Sequence, residues 1–155
     1  MHKIRPMGLA LVKFDERFLE PSWHWLNDPE ARSLNRAPAF TREEQRVWFD
    51  SLENRKDYFI WGIELKGVPI GALGFKHVER ESAECWCYIG EKSLWGRGIG
   101  SWIGRELIEN ARRMNLKKVS ARISKHNKRV VRLCKVYGFV EVSSDETTLQ
   151  MEKSL

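Results

Sequence analysis

A glycine-rich turn constrains this chain more than any other feature of its sequence. The turn covers residues 95–100 and carries glycine at three alternate positions, Gly96, Gly98 and Gly100. Residues 99–114 follow with apolar side chains at helical spacing and charged side chains between them. A helix that begins at such a turn leaves its first backbone N–H groups unshielded, and its dipole favours an anion there. The turn therefore predicts a phosphate-binding site.

Two familiar phosphate-binding patterns do not fit this turn. A dinucleotide fold has G-x-G-x-x-G in its first strand-to-helix turn and an acidic residue about twenty positions later. Here the turn comes late, and Lys117 and Lys118 occupy the later region. A Walker loop needs Gly-Lys-Ser/Thr, which the turn lacks. The alternative is a turn that only allows tight packing of a strand against a helix.

The periodicity of the remaining chain predicts one mixed α/β domain over residues 1–155. Thr41 with Glu44 is a capping-box signature, Lys66-Gly67 indicates a hairpin, and Pro69 favours an edge strand or a bulge. The sequence predicts seven strands at 9–12, 58–65, 68–76, 83–90, 118–123, 139–142 and 147–151, and helices at 18–26, 42–52, 99–114 and 127–137.

Composition narrows the function classes. The net charge of +6 favours an anionic partner. The basic residues are dispersed and form no nucleic-acid motif, so we expect a small polyanion and no nucleic acid. No apolar run is long enough to span a membrane and no secretory signal is present, so we expect a cytoplasmic protein without membrane contact. The three cysteines suggest neither a disulfide nor a metal site, and we expect no metal.

The glycine turn and three further segments resemble the GCN5-related N-acetyltransferase (GNAT) family. Residues 95–100 match the family's coenzyme loop, Gln/Arg-x-x-Gly-x-Gly/Ala, with Trp95 in the first position. Residues 83–92, 25–30 and 127–139 are similar to the preceding strand, the first-helix segment and the last-helix motif of its ribosomal-protein and small-amine branch. The resemblance covers nearly the whole chain and implies an α/β fold with a splayed sheet of about seven strands flanked by about four helices.

The resemblance also implies acetyl-CoA as the co-substrate and a place for it. The pantetheine is expected to lie along the strand edge at Tyr88, Ile89 and Gly90, with Asn127 as a further contact. Arg97 could add a charge-assisted contact or could be an ordinary solvated arginine. The pyrophosphate is expected on the backbone N–H groups of Arg97, Gly98, Ile99, Gly100 and Ser101.

Acetyl transfer to an amine requires a base that removes the amine proton, and the departing thiolate must either be protonated or leave as the anion. Glu84 is the candidate base because it lies in an otherwise apolar run; the alternative is a sheet-bracing carboxylate with proton transfer through water. The family's tyrosine proton donor aligns with Cys134, and Tyr137 comes three residues later. Either residue could donate, the thiolate could leave unprotonated, or both residues could serve only in packing.

The acceptor amine is the least constrained part of this interpretation. Trp23, His24, Trp25 and Arg36 are the candidate acceptor-binding residues, with core packing of the tryptophans as the alternative. We interpret the first third of the chain as mainly basic or aromatic apart from Asp28, Glu30 and the Glu43-Glu44 pair, which disfavours a polyamine. Aromatic and arginine side chains suit an amino-sugar nucleotide or similar small amine. The second candidate is a protein N-terminus or lysine, such as that of a ribosomal protein, and a non-catalytic coenzyme-binding module is the rival class. A homodimer is left open.

Overall fold

The computed structural model describes residues 8–35 and 37–155. Within them a seven-stranded sheet has the order β1-β2-β3-β4-β5-β7-β6 and is accompanied by five α-helices. The strands are β1 (Leu9–Lys13), β2 (Phe59–Leu65), β3 (Val68–Lys76), β4 (Ser82–Ile89), β5 (Lys118–Ser124), β6 (Val140–Ser144) and β7 (Thr148–Ser154). The helices are α1 (Leu19–Asn27), α2 (Pro29–Asn35), α3 (Arg42–Ser51), α4 (Ile99–Arg113) and α5 (Lys128–Val136). The predicted mixed α/β class with seven strands is confirmed.

The central strands β4 and β5 diverge. They are parallel, whereas the other neighbouring strands of the sheet are antiparallel. Their ladder runs only from the Ser82–Lys118 pair to the Glu84–Ser120 pair, while β4 stays paired with β3 as far as Ile89. The backbone edge of β4 beyond Glu84 therefore faces a gap and not a neighbouring strand. This is the splayed sheet that the resemblance implied.

The helices pack on both faces of the sheet. On one face, Cys85 of β4 packs in a cluster with Ala111 of α4, while Val130 and Cys134 of α5 lie against that cluster. On the other face, Phe18 and Leu19 form a cluster with Ala72 of β3, and Trp86 packs against it. Because side chains alternate along a strand, Glu84, Trp86 and Tyr88 point toward α1 and α3, whereas Cys85 and Cys87 point toward α4.

Short sequence signals set the start of α3 and the turn between β2 and β3, as predicted. Thr41 and Glu44 form both hydrogen bonds of a capping box at the start of α3. Lys66 and Gly67 have φ values of 51° and 79°, which suit a tight hairpin turn. The register shifts between Ile63 and Glu64, opposite Pro69, so the bulge alternative is confirmed. The edge alternative is wrong, because β3 lies between β2 and β4.

Helix α2 is absent from the sequence-based prediction. Asp28 caps it by accepting a hydrogen bond from the Ala31 backbone N–H at 3.1 Å, and Pro29 occupies its first position. The helix has only seven residues, too few for apolar periodicity to reveal it. The Asp-Pro-Glu start was the available signal. Five helices therefore accompany the sheet where four were expected.

Candidate coenzyme and acceptor site

The first two glycines of the turn are required by the backbone. Gly96 and Gly98 have φ values of 76° and 87°, in the left-handed region that favours glycine. A β-carbon at either position would meet no atom within 4 Å. Gly98 is the N-cap residue of α4 and supplies no side-chain cap. The first N–H groups of α4 therefore adjoin open space, the arrangement that binds a phosphate.

The third glycine serves a different contact. A β-carbon on Gly100 would lie 3.3 Å from Leu133 Cδ2 of α5. One turn later on α4, a β-carbon on Gly104 would lie 2.5 Å from the Tyr137 ring. Gly100 and Gly104 thus form a shallow groove that lets α5 approach α4 closely. A β-carbon at position 100 would press on Leu133 of α5, whereas one at position 98 would meet open space.

Trp95 anchors the start of the loop. Its indole Nε1 donates a hydrogen bond to the Ile89 carbonyl at 2.8 Å. The Arg129 guanidinium lies 5.9 Å from the Trp95 ring centroid, within cation–π range. Trp95 therefore connects the end of β4, the loop and the beginning of α5. Asn127, the N-cap residue of α5, lines the cavity described next and makes no side-chain cap.

A cavity of about 650 Å³ passes through the gap between β4 and β5. On the α4–α5 side it is lined by Gly104, Leu133 and Cys134. On the opposite side Trp48, Tyr58, Trp86 and Tyr88 line it. The gap thus joins the two faces of the sheet through one continuous space.

The predicted pantetheine residues lie at the far end of β4. Tyr88 lines the cavity, and the Ile89 carbonyl accepts from Trp95. The Gly90 N–H is donated to the Ile70 carbonyl at 2.7 Å, so it is engaged within the sheet. The Trp25 ring lies against Gly90 and would collide with a β-carbon there. Among the three, Tyr88 is the one placed on the cavity wall.

Glu84 stands at the last paired position before the strands diverge. Its side chain is 15% exposed and lines the cavity. Lys76 Nζ is 3.2 Å from Glu84 Oε2, and His77 Nδ1 is 3.8 Å from Glu84 Oε1. The sequence suggested apolar surroundings, but its apolar neighbours Ala83 and Cys85 point to the opposite face. Glu84 instead faces an ammonium and an imidazole.

The two candidate proton donors have different environments. The Tyr137 hydroxyl donates a hydrogen bond to the Ser101 carbonyl of α4, so its proton is already engaged. Burial raises the pKa of the Cys134 thiol to about 11. Burial likewise raises the pKa of Cys87 to about 12, and that of Cys85 further. All three thiols are therefore protonated at neutral pH.

Of the predicted acceptor residues, Trp23, His24 and Trp25 lie beside the cavity but do not line it. Trp23 Nε1 donates to the Phe40 carbonyl at 3.1 Å, and the Arg42 guanidinium lies 4.3 Å from the Trp23 ring centroid. His24 Nε2 is 3.2 Å from Glu20 Oε1. Trp25 Nε1 donates to Glu91 at 3.2 Å. Arg36 lies outside the described residues. The contacts of Trp23 and Trp25 are structural ones between α1 and neighbouring segments.

Four aromatic side chains, Trp48, Tyr58, Trp86 and Tyr88, form an aromatic wall of the cavity on the side of the sheet that faces α1 and α3. Trp86 stacks on Tyr58 and on Tyr88, with centroid distances of 5.9 and 6.1 Å. Burial raises the pKa of both tyrosines, so their hydroxyls remain protonated. Glu84, Trp86 and Tyr88 alternate along the sequence, and this spacing is the signal that their side chains share one face of the sheet. Gly74 on β3 leaves space for the Trp86 indole, which a β-carbon there would meet.

Carboxylates near the aromatic wall are already engaged. Glu84 pairs with Lys76, and Glu44 is committed to the capping box of α3. Arg122 also lines the cavity, and within residues 8–35 and 37–155 no carboxylate lies within ion-pair distance of it. Beside the aromatic wall, the cavity therefore offers an approaching molecule aromatic side chains and a cation, not free negative charge.

A metal-binding cluster and a membrane-spanning helix are both lacking from the described residues. These residues contain no group of three or more His, Cys, Asp or Glu side chains arranged to hold a metal ion. None of their helices combines the length and apolar character needed to cross a bilayer.

Comparison with known sequences identifies the family and one curated relative. Residues 9–140 match the family described as "Acetyltransferase (GNAT) domain". An uncharacterized protein of Methanocaldococcus jannaschii is 31% identical over 98 residues, which cover 63% of this chain and 20% of that protein. The alignment thus spans about a fifth of that relative's length.

Two solved structures share the fold. The spermidine N-acetyltransferase from Vibrio cholerae in complex with CoA and spermine has a TM-score of 0.86 at 18% identity, covering 95% of each chain. The Campylobacter jejuni N-acetyltransferase PseH in complex with acetyl coenzyme A has a TM-score of 0.76 at 17% identity, covering 94% of this chain and 98% of that one. At 17–18% identity these two structures show only that the fold is shared. The family match, in contrast, is a sequence match over residues 9–140. The chain therefore belongs to the GNAT family of acetyltransferases, which take the acetyl group from acetyl-CoA.

Proposed function

We propose that this chain transfers an acetyl group from acetyl-CoA to the primary amine of a small, ring-bearing molecule, with an amino-sugar nucleotide as the first candidate. The observation that carries the proposal is the cavity through the splayed sheet. It connects the side of the sheet covered by α4 and α5 with a chamber walled by aromatic rings. A coenzyme entering from one face and an acceptor entering from the other could meet within it.

Two features support a coenzyme site on the α4 side. The open turn at Gly96 and Gly98 leaves N–H groups for a pyrophosphate. The edge of β4 beyond Glu84 has no strand partner, so the amides of an extended pantetheine can pair with it as a further strand would. The end of this edge at Gly90 is less available to pantetheine, because the Gly90 N–H already donates to the Ile70 carbonyl.

The chemistry of the aromatic chamber supports a ring-bearing acceptor. Tyr58, Trp86 and Tyr88 line the cavity with apolar aromatic surface, against which a sugar or a base can pack. Arg122 offers a guanidinium for a phosphate. The Vibrio cholerae relative acts on spermidine. A polycation of that kind would find the nearby carboxylates Glu84 and Glu44 already engaged here.

The proposal gives Glu84, Cys134 and Tyr137 different roles. Glu84 is the proposed base, because its carboxylate lines the cavity where the two strands separate. Cys134 is a poorer acid than an ordinary thiol, because burial raises its pKa to about 11. Cys134 can donate a weak S–H hydrogen bond to the departing thiolate, which then takes its proton from water. Tyr137 is proposed to hold α5 on α4.

The test is an acceptor panel with acetyl-CoA, in which release of free CoA thiol is followed. The panel contains a nucleotide-linked amino sugar, the same amino sugar without the nucleotide, spermidine, an aminoglycoside and a peptide with a free N-terminus. We expect turnover to be greatest for the nucleotide-linked amino sugar and absent for spermidine. Turnover of the peptide alone would replace the proposal with protein acetylation. Tight acetyl-CoA binding without turnover on a broad panel would favour a binding module.

Two variants separate the ring from the phosphate. Trp86→Ala should raise KM for both amino sugars, because it removes the central ring of the aromatic wall. Arg122→Ala should raise KM only for the nucleotide-linked one, because only that acceptor carries phosphate. Val142→Ala on β6 is a matched control, since Val142 is exposed and does not line the cavity. Equal effects of Arg122→Ala on both amino sugars would remove the phosphate contact from the proposal.

A further inference from the structure

A lysine amine already occupies the place where an acceptor amine is expected to react. Lys76 Nζ lies 3.2 Å from Glu84 Oε2, and both side chains line the cavity through the splayed sheet. The other ion-paired lysines of the described residues, Lys92, Lys117 and Lys118, do not line that cavity. The pair is therefore an internal amine and carboxylate at the point where β4 and β5 separate.

Strand register holds the pair in this place. Lys76 and Glu84 are direct partners in the antiparallel β3–β4 ladder, so their side chains project from the same face. The Lys76 side chain is 41% exposed, which leaves it free to move, whereas Glu84 is only 15% exposed. A flexible amine tethered beside a more rigid carboxylate has a high local concentration at that carboxylate.

We propose that Lys76 is a self-acetylation site, modified by acetyl-CoA bound to the same chain when no external acceptor is present. The inference depends on the proposed function, because it uses the same coenzyme site and the same carboxylate. It adds an acceptor that is part of the protein.

The reaction balances without a further reagent. The Lys76 ammonium loses one proton to solvent, and the neutral Nζ attacks the thioester carbonyl carbon. The second N–H proton passes to Glu84 as the C–N bond forms. The C–S bond breaks, the CoA thiolate leaves, and the proton held by Glu84 reaches that thiolate through water, which returns Glu84 to its carboxylate form. The products are N-acetyl-Lys76 and free CoA.

Acetylation would change the site that produces it. The acetylated side chain has no charge, so Glu84 loses its partner at 3.2 Å. The added acetyl group also stays next to the carboxylate and takes up space in the cavity. Acceptor turnover should therefore fall in step with modification of Lys76, and a saturating acceptor should protect Lys76.

The experiment incubates the purified chain with acetyl-CoA alone and follows acetyl-lysine by peptide mass spectrometry. Lys117 is the internal reference. Its Nζ lies 3.2 Å from Glu81 Oε1 and its side chain is 73% exposed, so it reports chemical acetylation of an ion-paired lysine outside the cavity. We expect Lys76 to be modified about a hundredfold faster than Lys117. The rate constant should not depend on protein concentration, because the reaction occurs within one chain.

Three variants make the result specific. Lys76→Arg should abolish the fast modification while keeping a cation beside Glu84. Glu84→Gln should reduce the rate at Lys76 toward that of Lys117. Glu81→Gln should leave the rate at Lys76 unchanged. The free chain and each variant are first titrated with acetyl-CoA by calorimetry, so that binding is measured separately from transfer.

Equal rates at Lys76 and Lys117, in protein that binds acetyl-CoA, would overturn self-acetylation and leave the proposed function standing. An absence of acetyl-CoA binding would overturn both. Fast modification of Lys76 that is unaffected by Glu84→Gln would also contradict the inference, because the carboxylate would have no part in it.

Discussion

Leu133 of α5 packs against Gly100 of α4, where a β-carbon would lie 3.3 Å from Leu133 Cδ2. The contact separates the third glycine of the coenzyme loop from the first two. Gly98 has a φ of 87° and open space above it, whereas Gly100 is an ordinary helical residue that faces another helix. Substitutions at the two positions should therefore have different consequences.

We expect Gly98→Ala to weaken acetyl-CoA binding about tenfold or more, because its β-carbon projects toward the predicted pyrophosphate. The left-handed backbone should also cost about 1–2 kcal/mol of folding free energy. Gly67→Ala is the matched control, with a φ of 79° and no atom within 4 Å of a β-carbon, but in the β2–β3 turn. Gly100→Ala should leave the affinity unchanged. Isothermal calorimetry and denaturant unfolding measure the two quantities, and an unaffected affinity in Gly98→Ala would move the pyrophosphate elsewhere.

Trp95→Phe should loosen the loop. The substitution removes the 2.8 Å hydrogen bond to the Ile89 carbonyl and reduces the aromatic surface below Arg129. We expect unfolding free energy to fall by about 1 kcal/mol and the dissociation constant for acetyl-CoA to rise. Trp23→Phe is a matched control, since Trp23 on α1 likewise donates to a backbone carbonyl, that of Phe40, and has an arginine, Arg42, over its ring. Comparable affinities in the two variants would show that Trp95 does not position the coenzyme loop.

Glu84→Gln should slow acetyl transfer at neutral pH by about a hundredfold, because an amide cannot accept the amine proton. Acetyl-CoA affinity should change little, since Glu84 lies on β4 away from the loop. Steady-state rates and calorimetry on the same preparations test both statements. Unchanged turnover would mean that Glu84 only pairs with Lys76 and that the proton leaves through water.

Tyr137→Phe distinguishes a structural tyrosine from a proton donor. The hydroxyl donates to the Ser101 carbonyl, and the ring covers Gly104. We expect a loss of about 1 kcal/mol in unfolding free energy with kcat almost unchanged. A fall in kcat of about a hundredfold at unchanged stability would instead identify Tyr137 as the acid. The same measurement on Cys134→Ala addresses the other candidate.

Buried thiols should make the protein less stable in alkali. Burial raises the pKa of Cys134 to about 11 in the folded chain, from an ordinary value of 9.0. Between these values the unfolded chain has lost a proton that the folded chain retains. The stabilisation is therefore complete below about pH 9 and is lost as the pH rises toward about 11. Denaturant unfolding from pH 8 to pH 10.5 should show this decline, and Cys134→Ala should make it shallower. An identical slope in the variant would exclude Cys134 as a contributor.

Residues that act through their immediate neighbours were predictable from the sequence. Thr41 and Glu44 form the expected capping box, and the Lys66-Gly67 turn joins the expected strands. The strand over β3 has the predicted bounds, Val68–Lys76. In each case the controlling interactions lie within a few positions along the chain. The seven-residue helix α2 was missed because its Asp28 cap was not recognised as a helix start.

Residues whose surroundings come from distant segments were not predictable in the same way. Glu84 was expected among apolar side chains, but pairing with β3 places it beside Lys76. Trp23 and Trp25 were candidates for acceptor binding or for core packing, and tertiary contacts direct their indole N–H groups to the Phe40 carbonyl and to Glu91. Their part in acceptor binding stays a prediction. Alternation along β4 puts Trp86 on the same face as Glu84, but only the packing of distant segments makes that face a cavity wall.

The sequence by itself determined the glycine turn at residues 95–98 and the start of α4 at Ile99, because glycine backbone freedom and the first turn of a helix are local properties. Only the tertiary structure decided which side chains share the cavity. Strand register brings Lys76 to Glu84, divergence of β4 from β5 opens the gap, and packing of α5 on Gly100 and Gly104 engages the Tyr137 hydroxyl. These contacts join residues far apart in the chain, and the free energy that selects them comes from the whole packed sheet and its helices.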